Sequence, residues 1–115
     1  MNRDQAFRLA LVVERRARLD AAIWVERLPQ QALLIARGRA DQVIEPNHTT
    51  RDPLRAALAR EWYVRVFEDQ VRHDLGQVKP ELAVTTVETE HVAECLKGRE
   101  GVPHPRTWRV SGFES

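Results

Sequence analysis

The sequence predicts an α-rich α+β domain, with two long helices, a shorter helical segment and a small two-stranded β element at the C-terminal end. Three observations carry that prediction. Residues 52–76 read as one long helix with both ends written into the sequence. Residues 3–28 repeat apolar side chains at three- and four-residue steps. β-Branched residues gather after position 82 and again near the end of the chain. At 115 residues the chain makes a single domain, 1–115, large enough for one core without disulfides or metals as staples.

Taken in order, residues 3–28 form a first helix, ended by Pro29, which disfavours helical geometry at Leu28. Phe7, Ala10, Val13, Ala17, Ala21, Trp24 and Leu28 make its core-facing stripe. Glu14–Arg18 and Arg16–Asp20 are i,i+4 pairs that support the helix. A second, thinner apolar line, Val12, Leu19 and Ile23, lies on the opposite side among Arg8, Arg15 and Glu26. One fold face cannot bury both lines. Scattered surface apolar residues are common, but a line of this kind also fits a helix that packs on its own fold with one side and on another subunit with the other.

Residues 30–44 are ambiguous by periodicity, because ALLIA is short and apolar. A helix that kinks or ends near Gly38 is favoured, with a strand at 32–37 as runner-up. Residues 45–52 form a loop that feeds the next helix. Asp52 suits an N-cap, Pro53 the first helical position and Gly76 a left-handed C′ cap. Glu61, Arg65, Glu68, Asp69 and Arg72 share one narrow, solvated face, while Trp62, Tyr63, Val66, Phe67 and Val71 spread over the rest. So wide an apolar arc marks this helix as central. QVKPE, 77–81, is a connector, and LAVTTVE, 82–88, reads as a strand. Thr89 caps a short helix over 90–97, closed by Gly98. Residues 99–106 form a loop around His104, and 107–113 alternate as a terminal strand.

Composition narrows the function classes. An apolar fraction of 43% with 30% charged residues fits a folded domain and argues against wholesale disorder. A net charge of +1 implies no strong field toward nucleic acid or membrane. Sixteen arginines against two lysines fit the codon bias of a GC-rich, bacterial genome better than phosphate binding. The first third is nevertheless basic, with eight arginines against four acids in residues 1–39. One cysteine, no signal-peptide shape at the start and no apolar run near the roughly 20 residues of a membrane span place the protein in a reducing cytoplasm.

The nearest approach to a reaction constellation is His91, Cys95 and His104. His91 and Cys95, four apart on a helix, share a face and can offer an imidazole and a thiolate to zinc, with His104 as a third ligand. The spacing matches no closed structural zinc pattern, and a lone cysteine on an amphipathic helix most often packs as a small apolar residue. The same residues read as a thiolate–imidazole nucleophile need an exposed, low-pKa thiol. His73 reads as a partly buried histidine, and His48 as a loop residue whose anion binding is opposed by the Asp52 cap. The arginines of the first helix point in several directions, and no helix-turn-helix or single-strand signature accompanies them.

The expected function is therefore that of a non-enzymatic, cytoplasmic interaction or accessory protein without cofactor, self-associating or binding a protein partner through Val12, Leu19 and Ile23 with Arg8 and Arg15. The alternatives are a small metal- or ligand-binding enzyme using His91, Cys95 and His104, with zinc as the candidate metal, and a nucleic-acid-associated regulator using the Arg-rich first helix. Nucleic acid and membrane are the less favoured partners.

Overall fold

Asn2 opens the first helix through a reciprocal capping box. Its side chain accepts the Gln5 backbone N–H at 2.8 Å, and the Gln5 side chain accepts the Asn2 N–H at 3.0 Å. Helix α1 then runs Arg3–Arg27. This is a computed structural model, and it describes residues 2–44 and 53–98. Ala10, Val13, Ala17 and Ala21 of the expected stripe are buried, joined by Ala6. Phe7 and Trp24 are half-buried and Leu28 is exposed. The inner face of α1 is thus made of small side chains, which lets its backbone approach a neighbour closely.

A 3₁₀ turn over Pro29–Gln31 leads into helix α2, Ala32–Val43. This excludes the strand considered for 32–37, and the helix continues through Gly38. Ala32, Ala36 and Ala40 recur at four-residue steps and are all buried, so tertiary packing outweighs the local cost of one glycine. Gly38 itself is exposed, and a Cβ built there meets nothing within 4 Å. Gly38→Ala is therefore expected to stabilise the protein by about 0.5–1 kcal/mol, read as a higher urea midpoint with an unchanged m-value.

Helix α3, Pro53–Asp74, is the centre of the fold and packs against each of the other three helices. Its expected cap at Asp52 lies outside the described residues. At the other end Gly76 takes φ +72°, its N–H donates to His73 O at 3.1 Å, and the Gln77 N–H donates to Arg72 O at 2.7 Å. That pair of bonds is a Schellman cap, and only glycine reaches such a φ without strain. Trp62, Tyr63, Val66, Phe67 and Val71 are fully buried. The Tyr63 and Phe67 rings pack tilted with centroids 5.8 Å apart.

The predicted β element is corrected. Residues 80–82 form a 3₁₀ turn, and helix α4 spans Thr86–Lys97, so the strand expected over 82–88 does not form. No strand occurs among the described residues, and the fold they show is helical rather than α+β. The expected partner strand, 107–113, lies outside them. The physical reason is local. Thr85 serves as N-cap, its hydroxyl accepting the Glu88 N–H at 3.2 Å. Starting the helix there buries Thr89, Val92, Ala93 and Leu96 along one stripe. β-Branched composition is a weak preference beside a cap and a buried face.

Paired contacts fix the directions of the helices. Arg3 meets Glu94 and Thr89 meets Glu14, so α4 runs antiparallel to α1. Arg55 donates to Leu96 O at 2.7 Å and Arg65 pairs with Glu88, so α4 is antiparallel to α3 as well. The strip expected to be wholly solvated is consequently part-covered: Arg65 donates two 3.0 Å bonds to the Glu88 carboxylate.

Candidate functional site

The 3.6-residue period places Val12, Leu19 and Ile23 about half a turn away from the buried alanines of α1. The structure leaves them in the open, with Val12 60%, Leu19 61% and Ile23 41% exposed. Arg8, Arg15 and Glu26 stand beside them, also exposed. These three large apolar side chains therefore face outward, while the alanines and Val13 face the core, with Phe7 and Trp24 packed at its edge.

The arginines of the first third divide by face. Arg3 pairs with Glu94, Arg16 with Asp20, Arg37 with Glu61 and Arg39 with Asp20. Arg18 lies 3.7 Å from Glu14 and 3.3 Å from Asp69, and donates to Gln70 at 2.8 Å. Arg8, Arg15 and Arg27 have no ion pair among the described residues. Five of these eight arginines thus have an acidic partner, so the first third presents no concentrated unpaired basic patch among the described residues of the kind phosphate binding needs. What stays unneutralised on the outward face lies next to Val12, Leu19 and Ile23.

The inward side of the same helix carries a polar cluster that sequence reasoning missed. Asp20, expected only as the i,i+4 partner of Arg16, is 5% exposed. It accepts the Tyr63 hydroxyl at 2.6 Å and the Arg16 Nε at 3.1 and 3.0 Å, and Arg39 lies 3.8 Å away. Burial, then the hydrogen bond and charge of Asp20, push the Tyr63 phenol well above its ordinary pKa. The Arg39 Nε is buried without a hydrogen-bond partner among the described residues. The cue was available: Asp20 sits between Ala17 and Ala21 on the inward arc. Every member is held by another side chain or by packing, so the cluster reads as a tie between α1, α2 and α3.

His91 and Cys95 do meet, with Nε2 3.7 Å from Sγ. The thiol is buried, and burial followed by the nearby Glu94 carboxylate raises its pKa. A raised pKa disfavours the thiolate that either metal ligation or nucleophilic attack requires. His104, the third member, lies outside the described residues, as does His48. Among the described residues no three His, Cys, Asp or Glu side chains converge to hold a metal ion. His73 is a correction, because it is exposed at the last turn of α3, 3.6 Å from Asp74, beyond the reach of the core.

A concavity of about 840 Å³ lies beside α3, lined also by Arg37 of α2, the connector and the first turns of α4. Arg37, Arg65 and Arg72 alternate along it with Glu61, Glu68, Glu81 and Glu88, and two of those arginines are already ion-paired. Three arginines against four glutamates leave this lining with only a small negative excess, and its two ion pairs leave few free donors for a ligand. No helix among the described residues is long and apolar enough to cross a membrane. Comparison with protein-family models, with curated proteins and with solved structures finds no match to this chain.

Proposed function

We propose that this is a non-enzymatic interaction protein that works in a cytoplasm by self-association through the outward face of α1. The observation that carries the reading is the exposure of Val12, Leu19 and Ile23 in one line on a helix whose opposite side is buried. Side chains of this size, aligned and flanked by charge, are the composition of an association surface rather than of a solvated helix face. The raised thiol pKa of Cys95 and the compensated groove beside α3 favour this over a reaction centre. A role of this kind presents a helix face to a copy of the chain, as accessory and regulatory subunits do.

The test is hydrodynamic. Sedimentation velocity at micromolar concentration is expected to show a species above monomer. Val12→Glu combined with Leu19→Glu is expected to return it to monomer, with the far-UV circular dichroism unchanged, since both positions are exposed. A wild-type chain that stays monomeric throughout that range sinks the reading.

A further inference from the structure

We infer that the outward face of α1 pairs with the same face of a second copy in an antiparallel register, with Arg8 of each chain set against Glu26 of the other. The inference rests on the self-association reading above and adds its geometry. Arg8 and Glu26 are eighteen residues apart, about five turns of 3.6 residues, so they stand at the same angle on the helix. Both are exposed, and neither has an ion pair among the described residues, although most arginines of the first third do. Val12, Leu19 and Ile23 lie between them.

A two-fold axis beside residue 17, midway between these charges, superposes the two faces along nearly all of α1, Arg3–Arg27. It brings opposite charges together twice, once at each end. It also sets Val12 against the small Ala22 of the second copy, and Leu19 against the aliphatic stem of Arg15. A parallel, in-register pair would instead stack Arg8 on Arg8 and Arg15 on Arg15. The antiparallel register leaves one like-charge approach, the two Arg15 side chains near the axis, whose heads reach water at the edge. An anionic membrane is the competing occupant of an apolar line edged by arginine. Glu26, standing at the same angle as Arg8, disfavours it.

Charge reversal reads the register directly. Arg8→Glu or Glu26→Arg alone is expected to weaken the dimer by about tenfold, because each turns two attractions into two repulsions. The double variant, Arg8→Glu with Glu26→Arg, is expected to return within about threefold of wild type. Arg15→Gln is expected to tighten the dimer. A dimer that Val12→Glu plus Leu19→Glu dissolves, but whose double charge variant is no tighter than the singles, overturns the register and leaves the self-association reading intact. A wild-type monomer overturns both. So does a monomer that co-sediments with phosphatidylserine vesicles and loses that binding on Arg8→Glu, which would assign the face to a membrane.

Discussion

Trp62→Ala is expected to cost about 3–5 kcal/mol, read as a lower urea midpoint or outright loss of the cooperative transition. Trp62 is fully buried in α3, and its indole N–H donates to the Ala10 carbonyl of α1 at 2.9 Å. The alanines of α1 bring backbone against this ring, so deleting it opens a cavity that small neighbours cannot refill. A domain of this size has roughly 5–15 kcal/mol in hand, so the variant sits near the limit of folding. Trp62→Phe separates the two contributions, since it keeps an aromatic ring and loses the hydrogen bond. A cost below about 2 kcal/mol is expected there. An alanine variant with a wild-type midpoint would show that α1 and α3 are not joined through this ring.

Asp20→Ala is expected to cost about 3 kcal/mol, more than the loss of an exposed ion pair could explain, because it strands groups on two other helices. Tyr63 loses its acceptor inside the core, and Arg39, with a side chain only 25% exposed, loses its nearest carboxylate. Tyr63→Phe, which removes a donor and leaves Asp20 its arginines, is expected to cost about 1 kcal/mol. The same pair makes a pH test. The Tyr63 phenol is raised in the folded state and titrates near 10 when unfolded. Above that pH the unfolded chain has released a proton that the folded chain still holds, so stability must fall as pH rises. Tyr63→Phe lacks this loss, and the stability gap between it and wild type is expected to shrink above about pH 10. A gap independent of pH would show the phenol to be solvated.

Helix boundaries were legible where a residue type forces the backbone. Pro29 stops α1, and Gly76 closes α3 with a positive φ that other residues avoid. Pattern reading also separated the two faces of α1, because the period of the helix alone puts Val12, Leu19 and Ile23 opposite Ala10 and Ala17. It failed where tertiary packing decides. Val84, Thr85, Thr86 and Val87 have strand-like composition, yet a threonine cap and the burial of Val92 and Leu96 favour helix. Local propensity has the helix kink or end near Gly38, and the buried alanines around it carry the helix through to Val43. Asp20 was hidden for a different reason. Its partner Tyr63 is forty-three positions away, and no local spacing announces a bond between distant helices.

The way α1 and α2 are held has a consequence for how the chain is made. These two helices touch each other little, whereas each packs extensively on α3. A ribosome delivers them first, and until the sequence beyond Asp74 has emerged they have no surface on which to bury their alanines. Hydrophobic side chains on both sides of α1 are then open to solvent at once, and the inward side begins to close when α3 arrives and is completed by α4. Acquisition of structure therefore waits on the middle of the chain, and a chain truncated before α3 is a natural client for chaperones and proteases.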